Sequence, residues 1–257
     1  MTDPSDADKS VPPNLRLLLV LEELAHIGVP VNPTTVNEKL GLAKPTVHRL
    51  FHQLEAEGFL QRDMDGKSYG PGLRLRRMAV DVLSSSRVRA VRLQVLTALA
   101  EDIGETCNIA IPDRNAMVYL DRVETKWPLR IQLPIGTSVP FHCTASGKMY
   151  LASLPPRHVE RFLGTTQLPV RTVKTRIEPS VLREEIAQIA KRGYSTDDEE
   201  FMEGMVALAV PIRDGQNRLV STLSVHAPKQ RLPLDELQKH LARLQDAARH
   251  LSELMQK

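Results

Sequence analysis

Lys44, Pro45, Thr46, His48, Arg49, His52 and Gln53 stand within ten residues of one another, a set of cations and hydrogen-bond donors at helical spacing. Interleaved with them, Val47, Leu50, Phe51 and Leu54 recur at three and four residues, the period of a helix that buries one stripe. The stripe fixes what faces outward. Thr46, Arg49 and Gln53 form one exposed row, and Pro45, His48 and His52 another. An arginine that can pair bidentately with guanine, flanked by amide and hydroxyl donors, is the chemistry of base-edge reading in a DNA major groove. Arg62 and Lys67 lie on a following hairpin, within reach of phosphates. Without a ligand the same spacing would serve a plain packed helical hairpin with a solvated arginine face.

A second segment with chemical content is Pro140-Phe141-His142-Cys143-Thr144-Ala145-Ser146-Gly147-Lys148, where small residues lead into a helix. Amides at a helix start carry partial positive charge and lack intrahelical acceptors, so those of Ala145 and Ser146 suit a carboxylate or carbonyl oxygen. Cys143 beside His142 also raises a thiol acyltransferase or hydrolase. Adjacent residues on an extended segment point to opposite sides, however, and no third residue is marked to orient the histidine. Asp197, in the acidic run Asp197-Asp198-Glu199-Glu200, is placed to accept from a ligand hydroxyl. Alternation puts Thr222, Ser224 and His226 on one face of a strand, where His226 could meet a carboxylate as donor or cation.

These groups need elements to hold them. Asn14 to Ile27 is expected to be a helix with Leu15, Leu18, Leu21 or Glu22, and Ala25 in register. Pro33 to Leu40 is a second, ended by Gly41 in a left-handed conformation. Lys44 to Glu57 is the third, with Ala43 at its N-cap, so Pro45 in the first turn sets its start. Phe59 to Arg62 and Lys67 to Tyr69 flank Asp65-Gly66 as a hairpin wing. Gly70-Pro71-Gly72 is expected to break the chain before a largely helical stretch from Leu73 to Glu101, weakest at Ser84-Ser85-Ser86. Its apolar positions, Leu73, Leu75, Met78, Val82 and Val91 among them, exceed what an exposed connector carries and predict a second subunit packed on it.

Beyond Gly104 the period becomes alternating. Thr106 to Ile111 with Met117 to Val123, and Val206 to Ile212 with Leu219 to Val225, predict two antiparallel hairpins, and Arg130 to Leu133 another strand. Helices are expected over Thr144 to Leu154, over Pro179 to Arg192, and from Leu234 to Met255. The order gives an α+β fold: a tail over 1–13, a winged helix-turn-helix over 14–72, a linker helix over 73–89, and an antiparallel-sheet domain over 90–257.

At 257 residues, 42% apolar and 25% charged, the chain has ordinary globular composition and room for two cores. A net charge of +3 does not itself announce nucleic acid. The tilt is local: between Arg74 and Arg92 six arginines face one acid, Asp81, so this segment could lie near a phosphate backbone. Two cysteines without a Cys-x-x-Cys pair make a disulfide framework or structural zinc site improbable, and no metal or cofactor is expected. The polar N-terminal tail has no signal-peptide pattern, and no apolar run approaches the roughly 20 residues of a membrane span. A cytoplasmic setting fits.

The segments Gly41 to Leu50, His142 to Lys148, Arg192 to Glu200 with Gly204, and Ala209 to Ile212 together resemble the IclR family of bacterial transcriptional regulators. The resemblance runs from about Asn14 to Met255. It implies a winged head, a linker helix and a GAF-like effector domain, a double-stranded DNA operator as partner, a small organic-acid effector, and a homodimer or a homotetramer of two dimers. It also implies pocket positions at Ile131 and Val139 as apolar wall, Ala145 and Ser146 as backbone donors, and Asp197, Ala207, Ser224 and His226. Ala207 and His226 replace the cysteine and serine of a glyoxylate-responsive member, so the ligand need not be shared.

Overall fold

Capping chemistry sets the first helices. In the computed structural model of the protein, residues 11–63, 65–83, 86–113, 116–128 and 133–254 are described. Helix α1 spans Pro13–Ile27, α2 Pro33–Leu40 and α3 Lys44–Ala56. Asn32 caps α2 by accepting the Thr35 amide at 3.0 Å. Gly41 ends α2 at φ 63°, the left-handed conformation that glycine adopts without a Cβ penalty. Ala43 makes no side-chain cap on α3, and the proline in its first turn stands in. The turn between α2 and α3 is held by Asn37, which donates to the Leu42 carbonyl at 2.7 Å and accepts the Leu42 amide at 3.0 Å. That residue drew no notice in the sequence.

Val36, Val47, Leu50, Phe51 and Leu54 build the core of this unit with Val20, Leu21 and Leu24. The register expected for α1 is corrected. Leu15 and Leu18 are exposed, and the buried face is one step round, at Val20, Leu21 and Leu24. Strands β1 (Leu60–Arg62) and β2 (Tyr69–Pro71) form the wing. Gly70 and Pro71 therefore belong to a strand instead of breaking the chain. Gly72 follows because a Cβ there would lie 2.3 Å from the Gly58 carbonyl oxygen.

The helical stretch after the wing is divided. Helix α4 (Leu73–Leu83) belongs to the first compact unit and α5 (Ser86–Ile103) to the second, the division in the chain falling after Leu83. The second unit is a six-stranded antiparallel sheet of β3 (Thr106–Asp113), β4 (Ala116–Val123), β5 (Ser138–Pro140), β6 (Ser195–Asp198), β7 (Met205–Arg213) and β8 (Leu219–Pro228), in the order β5-β4-β3-β8-β7-β6. Helices α6 (Ala145–Leu151), α7 (Pro156–Thr165) and α8 (Pro179–Arg192) intervene between β5 and β6. The C-terminal helix expected from Leu234 is two, α9 (Leu234–Gln238) and α10 (Leu241–Leu254). The acidic run, to which the sequence assigned no element, begins in strand β6. The strand expected over Arg130 to Leu133 falls largely outside the described residues, as does Ile131.

Candidate functional site

On the outer face of α3, Lys44, Pro45, His48, Arg49, His52 and Gln53 are exposed and Thr46 half-buried, as the buried stripe requires. Lys67 is exposed on the wing. Arg62 is differently placed. Its Nε and Nη2 donate to the Glu55 carboxylate at 2.8 and 3.1 Å, its Nη1 to the Gly66 carbonyl, and its guanidinium lies 4.9 Å over the Tyr69 ring. It ties the wing to α3 before it can serve DNA.

The arginine run read as a possible phosphate contact is also largely engaged within the fold. Arg74 pairs with Glu57 and stacks over Phe59, and Arg76 donates to the Pro71 carbonyl. Arg89 and Arg92 converge from α5 on the buried Asp121 of β4, at 3.0 and 2.7 Å. Those two are structural cations of the second unit.

In the second unit, strand register gathers polar residues on one sheet face. Asp197, Ala207, His226 and Thr106 form one cross-strand row over β6, β7, β8 and β3. Ser195, Ala209, Ser224, Asn108 and Arg122 form the next, continuing to β4. Helix α6 packs across this face, Ala145 and Met149 lying on the methyls of Ala207 and Ala209. Small residues at these two positions are what permit the close approach. The start of α6 is fixed from both sides. Thr144 caps it, accepting the Gly147 amide at 3.0 Å while its hydroxyl donates to the Pro140 carbonyl. Gly147 sits where a Cβ would lie 2.4 Å from Phe141 Cα, so only glycine fits.

The acidic run divides where strand β6 ends and Glu199 turns at φ 64°. Asp198 and Glu199 point outward to Lys174 and Lys229, and the two lysines hold the Glu199 carboxyl down at about 2. Asp197 and Glu200 point inward. Asp197 Oδ1 accepts the amides of Glu200 and Phe201 at 2.7 and 3.3 Å, closing the turn. Burial pushes the Asp197 carboxyl up to about 7, against the pull of the Lys148 ammonium. Lys148 itself is fully buried between Glu185, at 2.6 Å, and Glu200. Arg176 holds the other oxygen of Glu185 at 2.8 Å. One ammonium thus joins α6, α8 and the turn after β6.

Several polar atoms on this face are buried with no hydrogen-bond partner in the protein: Ser146 Oγ, Ser195 Oγ, Asp197 Oδ2, Asn108 Nδ2 and His226 Nδ1. Buried polar groups are normally satisfied, so such a cluster on one covered face departs from the usual pattern. His226 Nε2 meets Ser224 Oγ at 3.1 Å, and its ring stands edge-on to Tyr119 at 6.1 Å. Burial, with the Arg122 guanidinium nearby, lowers its pKa to about 3. Of the two roles considered for His226, donor or cation, burial in the ligand-free fold favours the neutral donor. Val139 is buried in the apolar cluster with Tyr119 and Phe141. The sequence reading named Asp197, Ser224, His226 and the start of α6, which the fold brings to this face, and did not single out Asn108, Arg122 or Tyr119, which share it.

The pair read as a thiol catalyst does not assemble. Burial pushes the Cys143 thiol up to about 12, far from the thiolate a nucleophile needs. His142 Nε2 is bonded to the Pro169 carbonyl at 3.0 Å.

A helix-turn-helix unit joined in one chain to a sheet domain with a buried polar face defines a DNA-binding regulator with a ligand-binding domain. Comparison with known proteins gives the family. The IclR helix-turn-helix domain matches residues 15–64, and the family described as bacterial transcriptional regulator IclR C-terminal matches residues 80–253. A protein of Cupriavidus necator named "Probable transcriptional regulator SauR" is 36% identical over 234 residues, 91% of this chain and 93% of its own. The "Transcriptional repressor IclR" of Escherichia coli is 30% identical, over 92% of this chain and 87% of its own. Among solved structures, an IclR homolog from Microbacterium hydrocarbonoxydans complexed with 4-hydroxybenzoate superposes with a TM-score of 0.61 at 23% identity, over 95% of this chain and 99% of that one. The chain belongs to the IclR family of bacterial transcriptional regulators. Its similar proteins are regulators, not enzymes.

Proposed function

We propose that this protein controls transcription by binding a double-stranded DNA operator, and that a small organic acid in the C-terminal unit sets the strength of that binding. The observation that carries the reading is the cluster of buried, partnerless polar atoms on the covered sheet face, in a chain whose other unit presents a helix-turn-helix. Lys44, Pro45, Thr46, His48, Arg49, His52 and Gln53 are the groove-facing residues. Lys67 reaches the backbone, and Arg62 joins it only by exchanging Glu55 for phosphate. The effector lies among Val139, Ile131, the amides of Ala145 and Ser146, Asp197, Ala207, Ser224 and His226. The 4-hydroxybenzoate held by a structural neighbour supports a small acid as the class.

The functional division is a head over 14–72, a linker over 73–89, and an effector and oligomerisation domain, GAF-like in type, over 90–257. Leu73, Met78 and Val82 on α4, with Leu15 and Leu18 on α1, are exposed apolar residues. They support a homodimer, with a homotetramer formed from two dimers. No helix among the described residues is long and apolar enough to cross a membrane. A cytoplasmic repressor is the form this takes, the name of the Escherichia coli relative supporting the sign of control.

Arg49→Ala tests the DNA half. Its expected effect is a loss of about 1–3 kcal/mol of discrimination between operator and scrambled DNA in gel shift, with the melting temperature unchanged. An unaltered ratio of affinities would remove Arg49 from the interface.

A further inference from the structure

Two side chains deep on the polar face have no part in the reading above. Asn108 on β3 is 0% exposed, and the Arg122 side chain on β4 is 4% exposed. They are register partners, and Asn108 is in turn the partner of Ser224. Arg122 Nη1 donates to Asn108 Oδ1 at 2.7 Å, and Arg122 Nε to Glu124 at 3.1 Å. A guanidinium has only donors, so the amide must turn its oxygen toward it. Its nitrogen then points away, and Nδ2 has no partner in the protein.

A buried donor left unmet carries a desolvation penalty that an arriving acceptor relieves. The second partnerless nitrogen, His226 Nδ1, is the diagonal neighbour of Asn108 across the β3–β8 pair, about 7–8 Å away between Cα atoms. One small group can touch both. Arg122 is the one cation in this pair of rows; Glu124 meets it from the more open end, and burial favours the neutral form of His226. Asp197, an acceptor, stands on β6, two strands beyond β8 and so about 10 Å off.

We propose that Asn108 and Arg122 are the carboxylate-recognising end of the effector site. Asn108 Nδ2 donates to the carboxylate, His226 Nδ1–H donates beside it, and Arg122 fixes the amide with its nitrogen turned toward the ligand. Asp197 at the far side accepts from a hydroxyl or other donor. The effector class is a short hydroxy acid with its polar ends set apart, seated by its carboxylate on Asn108 and not on the start of α6. This rests on the effector reading above and orients the ligand within it.

The test uses the full-length chain labelled with ¹⁵N, with formate and benzoate as probes. The Asn108 side-chain amide, assigned by its loss in Asn108→Ala, is expected to shift on titration in the wild type. Arg122→Gln is expected to weaken both probes about tenfold or more. Because Arg122→Gln removes a buried cation, Asn108→Asp is the second variant. It keeps shape, gains an ion pair with Arg122 and preserves melting temperature, yet it replaces the donor by a negative charge and should abolish the titration. Unchanged probe affinity in Asn108→Asp overturns the proposal. A carboxylate that moves the amides of Ala145 and Ser146 while Asn108 stays still overturns it and leaves the effector domain standing. Probes that move neither set overturn both.

Discussion

His226 and Asp197 titrate in opposite senses, so the acid stability of the C-terminal unit should be their difference. Burial and the Arg122 guanidinium take His226 from an ordinary 6.5 down to about 3. In the unfolded chain the imidazole gains a proton below its ordinary value, and in the fold it does not, so stability is lost as pH falls from 6.5 toward 3. Asp197 runs the other way. Burial lifts its carboxyl from 3.8 to about 7, with Lys148 opposing and Glu200 adding to the rise. The folded carboxyl keeps a proton that the unfolded chain gives up, so its contribution is complete below 3.8 and lost as pH rises through 7.

Between about pH 7 and pH 5, linkage gives a loss of roughly 2 kcal/mol from His226 and a gain of roughly 2 kcal/mol from Asp197. The wild type should therefore change little over this range. His226→Gln should gain roughly 2 kcal/mol on acidification, which for a unit of this size is about 4–8 °C in melting temperature. Asp197→Asn keeps the acceptor that closes the turn and should fall by a similar amount, and the double variant should be flat. Thermal melts of the four proteins at the two pH values measure this, the differences between variants cancelling the titration of every other group. A His226→Gln protein with the wild-type pH response would refute the buried neutral imidazole.

Lys148→Met should destabilise the C-terminal unit by about 3–5 kcal/mol in urea denaturation, because Glu185 and Glu200 lose the ammonium that compensates them. Adding Glu185→Gln and Glu200→Gln should recover part of the loss. Gly147→Ala places a Cβ 2.4 Å from the Phe141 backbone and should cost about 1–3 kcal/mol. Gly164→Ala, in open space within α7, should instead gain up to about 1 kcal/mol, so equal melting temperatures for the two would contradict the packing of α6.

The head was legible because its signals are local. A stripe at three and four residues, Gly41 after α2 and a hairpin at Asp65-Gly66 each act within a few residues, and their elements form where the spacing puts them. What escaped was tertiary in origin. The register of α1 depends on which side α3 presents, not on its own leucines, and Leu15 and Leu18 stay outside. Asn37 looks like any polar helix residue until its amide is seen to close on Leu42 five residues away. The arginine run between Arg74 and Arg92 carries cationic chemistry in the sequence, but Asp121 and Glu57, which neutralise much of it, lie far along or back along the chain.

The site shows the same limit in a sharper form. On β8, unbroken alternation placed Ser224 and His226 on one face, and register confirms that they share it. On β4 alternation misleads. Counted by twos from Tyr119, the chain would put Asp121 and Val123 beside it and Arg122 opposite. Register slips between Ile109 and Ala110, leaving Leu120 unpaired, so that Tyr119 lies across from Ala110 and Arg122 across from Asn108. One extra residue exchanges the roles of two neighbouring charges. Asp121 turns to the α5 face and takes Arg89 and Arg92, while Arg122 turns inward to Asn108. Without the bulge a carboxylate would stand behind Asn108 in place of a guanidinium, and the same strand would repel the class of ligand proposed for this face.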